Sequence, residues 1–390
     1  MRIFLSSQQA LRRHAVPAYG FWELYFKNGM TEAGHAWLEA PGVDWAEGLT
    51  HLTAEARQAW LERTWGRTVD WLRTEHARQP VDLFLSYLFP NQVEPSAVRA
   101  IRDLGIPCVN FFCDNVRELT RVPASYRPFD LHWVPEAEAR ALYTQAGLPF
   151  VYAPMAVWVP EIYRQPPARE NDQVVFIGSI DALREDLLSE AAELGLALDV
   201  YGPGWAAGAA AAQGPAPPTW PRRLANQVVF LRQHGLRGFA MRETYRRRKP
   251  RARAWLDRHG HPPLGTDAYF VQSRESQVLL GINRYPSFRQ PFQRPHVYSR
   301  LRDLEAPMLG ACYLTEWAPG LDDLYDLGSE IETYRTAAEL VEKAAQLGRD
   351  PARRRQLRVR GQRRALAHHT IGRSLDLIRD RLGLAGGAAG

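Results

Sequence analysis

Along most of the chain, short apolar runs alternate with stretches whose apolar residues recur every three to four positions. Residues 3–5 read as a strand. Residues 54–79 read as a long helix, because Trp60, Leu61, Thr64, Trp65, Val69 and Leu72 fall on one face. Branched and aromatic content predicts a strand over 81–87, followed by a helix over 94–104 that Gly105 stops and a strand over 106–112. The same beat continues with a strand at 131–134, a helix at 136–145 closed by Gly147, and a strand at 150–153. Strand–helix–strand alternation with short loops implies right-handed crossovers and a parallel sheet.

Residues 156–172 interrupt the pattern. Pro160, Pro166 and Pro167, followed by Arg169, Glu170, Asn171 and Asp172, read as an interdomain linker. A second alternation starts with a strand at 174–177, a helix at 183–194 and a strand at 198–201. Residues 203–221, rich in Ala, Gly and Pro, read as the start of an irregular excursion reaching to about 273, and 278–282 and 312–315 as later strands. Helices at 337–347, 351–368 and 373–382 close the chain; Thr336 and Glu339 form a capping box for the first, and 383–390 read as frayed. The expected division is an α/β domain over 1–157, a second α/β domain over 172–372, and a C-terminal helix with its tail over 373–390. No internal repeat of fixed period is visible.

Composition narrows this frame. The 390 residues correspond to two or three domains at roughly 150 residues each. Lys and Arg number 49 against 43 Asp and Glu, and the net charge of +6 suits anionic ligands but is too small for an obligate nucleic-acid binder of this length. Cys108, Cys113 and Cys312 lack CxxC spacing, which argues against a disulfide framework or a structural zinc site. The apolar run at the start is too short for a signal peptide, and no stretch approaches the ~18 apolar residues of a membrane span. The expectation is a reduced, cytoplasmic, two-domain protein.

Two doubly wound domains bind ligands beyond the carboxyl ends of their strands, where helix N-termini and free backbone N–H groups point. Gly178 ends one such strand, and Arg184 follows on the opening turn of a helix. The glycine lets a ligand approach the backbone and the guanidinium can pair with phosphate oxygens, although a plain strand–turn–helix would also look like this. Tyr201 and Gly202 form a second strand end that a simple turn would equally explain. The richest stretch holds Arg300, Arg302, Glu305, Pro307 and Gly310. Pro307 suits the first turn of a short helix, which puts Glu305 near its N-cap, and Gly310 ends the helix. A carboxylate there can accept two hydrogen bonds from the vicinal hydroxyls of a ribose, with the arginines balancing a diphosphate; a capping Glu305 paired to Arg302 is the plainer alternative.

Arg302, Leu304, Glu305, Pro307 and Gly310, followed by Leu314-Thr315-Glu316, Leu324-Tyr325, Gly328, Glu330-Ile331 and Tyr334, resemble the C-terminal domain of CgeB-like glycosyltransferases, bacterial GT-B enzymes named after a spore-maturation protein. The likeness continues through Glu339-Leu340, Arg354, Gly361 and His369-Thr370. It is also carried by Phe176, Gly178, Arg184 and Tyr201-Gly202, and by Asp82-Leu83-Phe84, Gly105-Ile106-Pro107 and Asp114-Asn115. It is most specific over about 278–372. The resemblance implies a GT-B fold, two Rossmann-like doubly wound domains facing a central cleft, and a hexosyltransferase-type transfer from a nucleotide-diphosphate sugar, a UDP-sugar above all, without a further cofactor. It implies that Glu305 takes the ribose hydroxyls and that Arg184, with Arg300 or Arg302, takes the diphosphate. Gly178, Tyr201, Gly202, Asn283, Arg284 and Gly310 are expected around the donor. The acceptor, a glycan, protein or small molecule, is expected over the first domain beside residues 19–23 and Asp114.

Two departures stand out. Retaining GT-B enzymes often carry a second glutamate eight positions before the first, where this chain has Val297, so stereochemistry stays open. Cys113 stands where many relatives of the broader class have a histidine. Direct displacement needs stabilisation of the departing diphosphate and deprotonation of the acceptor hydroxyl. Arginines and helix N-termini can do the first, no Asp-x-Asp motif lies at a strand end, and metal-independent chemistry is expected. Asp114 and Glu23 are the candidate bases, His14 a weaker one. The basic runs at 246–253 and 353–364 fit a solvated helix face, peripheral contact with the inner face of a membrane, or a polyanion. No specific nucleic-acid motif is present. A nucleic-acid-binding scaffold and a GT-B-fold sugar-nucleotide epimerase or hydrolase are the competing readings.

Overall fold

Two six-stranded parallel sheets organise the chain in a computed structural model that describes residues 1–12, 14, 19–50, 52–206, 220–247, 255, 258–287 and 294–384. The first unit spans Met1–Val159 and Ala367–Gly390, the second Pro160–Leu366.

In the first unit the elements are β1 (Arg2–Ser6), α1 (Tyr19–Glu32), β2 (Ala36–Leu38), α2 (Ala54–Arg78), β3 (Leu83–Tyr87), α3 (Pro95–Arg102), β4 (Cys108–Phe111), α4 (Asn115–Glu118), β5 (Leu131–Val134), α5 (Ala139–Ala146) and β6 (Phe150–Tyr152). The sheet order is β2-β1-β3-β4-β5-β6. β3, β4 and β5 are buried throughout, as continuous apolar runs in a parallel sheet require. Thr53 caps α2 by accepting from the Ala56 amide at 3.2 Å, and the helix buries Trp60, Thr64, Trp65, Thr68, Val69 and Leu72. Both indoles donate to backbone carbonyls, Trp60 to Asp44 and Trp65 to Gln92, so the bulky core carries no orphaned N–H there.

The second unit holds β7 (Val174–Ile177), α6 (Ala182–Glu193), β8 (Asp199–Tyr201), α7 (Trp220–Arg247), β9 (Gly260–His261), α8 (Thr266–Glu275), β10 (Val278–Gly281), β11 (Arg284–Tyr285), β12 (His296–Val297), α9 (Arg302–Met308), β13 (Tyr313–Glu316), α10 (Leu321–Leu324), β14 (Glu332–Tyr334), α11 (Ala337–Arg349) and most of α12 (Pro351–His368). Its sheet runs β14-β13-β10-β7-β8-β9, so the chain reverses its winding between β7 and β10. That switch point opens a crevice beyond the two strands' carboxyl ends.

Three expectations change. The excursion after residue 203 is largely helical in its described part, containing α7 and α8. The last helix, α13 (Ile371–Leu382), is no separate tail: it packs on α1, β5 and β6 of the first unit, and Ile371 fills the space that Gly29 leaves open. The arginine run at 353–364 is not one surface patch either. Arg354 and Arg358 are buried and both grip Glu170, while Arg358 also donates to the Gly310 and Ser276 carbonyls at 3.0 and 2.6 Å. They tie the incoming linker to the ends of α9 and α8, which is internal scaffolding. The described part of the 246–253 run is confined to the backbone of the end of α7; the remainder lies outside the described residues.

Candidate functional site

At the β7 side of the switch point, two strand ends touch. Gly178 N–H donates to the Tyr201 carbonyl at 2.8 Å, and the Trp205 indole donates to the Gly178 carbonyl at 2.6 Å. Gly202 has φ +141°, and a Cβ there would stand 2.3 Å from the Gly178 carbonyl oxygen. Only glycine allows that approach. Gly202 thus shapes the strand end that presents Gly178, and Tyr201 stacks on His261 with ring centroids 4.4 Å apart.

Three arginines meet beside this strand end. Asp181 caps α6, accepting from the Leu183 and Arg184 amides, and its carboxylate lies 3.2 Å from the Arg184 guanidinium. Arg184 also donates to the Ser179 carbonyl at 2.9 Å. Burial first, and then the charge of Arg300, pull Arg184 down to about 10; Arg302 adds to the fall and Asp181 opposes it. Arg300 lies 4.9 Å from the Tyr298 ring centroid, and its Nε is buried without a hydrogen-bond partner among the described residues. Arg302 donates to the Ile177 carbonyl at 3.2 Å and covers the Tyr269 ring at 4.6 Å. Like charges held this close in a half-buried crevice attract a polyanion.

Glu305 joins the cluster from α9. Its carboxylate accepts from the Tyr269 hydroxyl and sits 3.8 Å from Arg302 Nε. The helix begins earlier than its proline suggests: α9 starts at Arg302, Glu305 lies inside it, and Pro307 is its sixth residue. Asp303 explains the early start. It is fully buried and accepts from the Arg300 amide, Ser299, Tyr313, Thr315 and the Asn283 side-chain amide, all at 2.8–3.0 Å. Burial still raises its pKa above the usual carboxylate value despite these donors. The hub fixes α9 against the ends of β10 and β13, and so fixes where Glu305 and Arg302 stand. Gly310 (φ +73°) ends the helix against Gln362 and belongs to this scaffold.

The expected donor-facing role of Asn283 does not match its placement. It is buried, and its amide donates to Asp303 at 3.0 Å and to the Glu316 carbonyl at 2.8 Å. Arg284 is paired with Glu316, whose other oxygen accepts from the Asn283 and Arg284 amides. Burial lowers the Arg284 pKa, and Glu316 more than restores it, leaving it above the ordinary value. Both residues hold the strand end in place. Tyr269 and Asp303 are participants that the sequence reading gave no role, and Glu316 entered it only as part of the family motif.

In the first unit, Asp114 follows β4 at the N-terminus of α4. Nearby Glu136, also missed, is buried; burial pushes its carboxyl up to about 8, with Asn115 opposing and Asp114 adding to the rise. Asn115 donates to Glu136 at 2.5 Å and accepts from Tyr143 at 2.9 Å. Cys113 donates to the Tyr87 hydroxyl at 3.4 Å and burial pushes its thiol well up, so it is held as a neutral thiol. Glu23 is bound to Lys27 at 2.6 Å in an i,i+4 pair on α1, an arrangement that occupies it as a helix-surface ion pair. His14 sits 2.9 Å from Asp44. Among the described residues, no group of three or more His, Cys, Asp or Glu is gathered as a metal ion would need.

The profile of the glycosyl transferase-like family matches residues 184–380. Among solved structures, the chain is similar to sucrose-phosphate synthase from Thermosynechococcus elongatus, with 14% identity, 99% and 100% of the two chains covered and a TM-score of 0.58. It is similar to a glycosyltransferase from Rickettsia africae at 9% identity, with 98% and 99% coverage and a TM-score of 0.57. HepE from Anabaena, solved with UDP and glucose, gives 12% identity, 99% and 100% coverage and 0.56. These likenesses establish the fold, GT-B. No curated protein matches the sequence.

Proposed function

We propose that this chain, which belongs to the glycosyl transferase-like family, moves a sugar from a nucleoside-diphosphate sugar to an acceptor hydroxyl. One observation carries the reading: Arg184, Arg300 and Arg302 converge at the switch point of the second sheet while Glu305 lies beside them. A diphosphate placed among the guanidiniums relieves their mutual repulsion. A ribose diol takes the Glu305 carboxylate, which the Tyr269 hydroxyl occupies in its absence. As the sugar–phosphate bond breaks, charge grows on the departing diphosphate, and fixed arginines stabilise it more strongly than they do the intact donor. That is the source of rate enhancement we assign to them, without a metal. UDP is the favoured nucleotide, because the similar HepE structures carry UDP, UDP-glucose, or UDP and glucose.

Asp114 is the base we favour for the acceptor hydroxyl over Glu23, whose carboxylate is held by Lys27. Glu136, which keeps its proton near neutral pH, would keep a second negative charge away from Asp114. We place the chain in the CgeB-like branch, as a hexosyltransferase, on the motif around Arg302–Gly310. The test is turnover of UDP-, GDP-, TDP- and CMP-sugars with glycan, protein and small-molecule acceptors, with and without a chelator. Acceptor-dependent release of UDP that the chelator leaves unchanged is the expected result. An isomerised donor or free sugar alone would place the chain with epimerases or hydrolases.

A further inference from the structure

The chain's positive charge is not spread evenly. The 28 residues of α7 (Trp220–Arg247) contain seven arginines and one glutamate, a net +6, while the rest of the chain balances with 42 basic and 42 acidic residues. α7 is thus one of two strongly basic helices; the other, α12, has seven arginines and no acidic residue, but its Arg354 and Arg358 are buried.

The shape of α7 is unusual too. Gly235 breaks it with φ +66°. Arg242 donates to the Gln227 side chain and lies over the rings of Phe230 at 4.0 Å and Phe239 at 4.9 Å. Residues 227 and 242 would be about 22 Å apart along a straight helix, so these contacts require the two halves to fold back on each other about Gly235. Leu236, at the turn, is 78% exposed, and Trp220, at the open end, is 77% exposed. Val228 (44%) and Leu231 (38%) are also exposed, and with Trp220 they fall on one face of the first half.

Exposed Trp, Leu and Val on an arginine-rich hairpin is the composition of a segment that lies in a membrane interface, its apolar side chains entering the acyl boundary and its charge facing anionic headgroups. A polyanion would use the arginines alone, whereas an acyl boundary also buries the apolar area that Trp220, Val228, Leu231 and Leu236 expose. We propose that α7 is a docking hairpin for an anionic phospholipid bilayer. Taken with the transferase reading above, on which this second step rests, it places the acceptor at a lipid surface.

The experiment is co-sedimentation of the full chain with vesicles of phosphatidylcholine alone or with about one-third phosphatidylglycerol, at salt from about 0.15 to about 0.5 M. The expected result is binding at least tenfold tighter to the anionic vesicles, weakened by salt. Two variants separate the contributions. Trp220→Ser/Leu236→Ser should weaken vesicle binding about tenfold, and Arg237→Glu should reduce the preference for anionic lipid. Brominated lipid should quench tryptophan fluorescence less in Trp220→Phe than in the unaltered chain. All these side chains are exposed, so melting temperature and UDP binding, measured in parallel, should stay unchanged; UDP binding alone tests the transferase reading. Equal affinity for neutral and anionic vesicles would overturn the proposal, as would no binding. So would tight binding to an anionic oligonucleotide that competes with vesicles and is unaffected by Trp220→Ser/Leu236→Ser, which would show a polyanion site.

Discussion

Replacing Glu305 by glutamine separates two effects that act in opposite directions. The substitution keeps the side-chain volume and leaves a carbonyl oxygen for the Tyr269 hydroxyl, so the buried O–H stays satisfied and the fold should hold. It also removes the negative charge 3.8 Å from Arg302, which makes the arginine cluster more cationic and should by itself tighten the hold on a diphosphate. Working the other way, a ribose diol loses a charged acceptor. Hydrogen bonds to charged groups contribute ~1.5–3 kcal/mol each, and 1.4 kcal/mol is a tenfold change in affinity. UDP alone would blur the two effects. Comparing UDP with 2′,3′-dideoxy-UDP cancels the diphosphate contribution, which is common to both ligands. Isothermal titration should show the unaltered chain preferring UDP by about tenfold to a hundredfold, and Glu305→Gln preferring it by no more than about threefold. A variant that keeps the full preference would refute the ribose assignment, whatever its absolute affinity.

Arg184→Gln and Arg300→Gln should each weaken UDP binding about tenfold or more while leaving uridine within about threefold, by titration calorimetry, since each removes a charge-assisted contact to phosphate only. Glu136 predicts a pH dependence: the folded state keeps its proton to about 8 whereas the unfolded chain releases it near 4.5. The folded state binds more protons in that window, so this group's stabilisation is full below about 4.5 and is lost as pH rises through 8, by a few kcal/mol at most. Chemical denaturation of Glu136→Gln should therefore show a flatter stability profile between those pH values; an unchanged slope would remove Glu136 as its source. Gly202→Ala should lower the melting temperature by several degrees and weaken nucleotide binding with it, because the new methyl collides with backbone that cannot swing aside.

The inner strands β3, β4, β5, β7, β10 and β13 were legible because they are buried on both faces, which leaves continuous apolar runs. The edge strands β2, β9 and β14 are short and part-exposed and left no such run. Residues 131–134 and 174–177 agree end to end with β5 and β7, and 351–368 with α12. α1 escaped notice because Phe21, Trp22, Tyr25 and Phe26 have weak helix propensity; packing against Tyr87, Phe111 and Trp133 makes the helix, not its local preference. The last helix joins the first unit through contacts with α1, β5 and β6, which are remote in sequence. The same limit governs the site. Arg184 follows a strand end, and Arg300, Arg302 and Glu305 are neighbours in one short stretch, so each could be read locally. Tyr269 reaches Glu305 from α8, 36 positions earlier, and no spacing announces that meeting. Asp303 looks like one more charge on a short helix, yet five donors from three segments converge on it. Arg354 and Arg358, which read as surface charge, are buried because Glu170 comes to them.

Titration of the unaltered chain with UDP, UMP and uridine bears most directly on the arginine cluster as a diphosphate site. Affinity should rise from uridine to UMP to UDP, by about tenfold or more overall, with the gain shrinking as salt is raised. Equal affinity for the three ligands, or uridine binding as tightly as UDP at low salt, would contradict it.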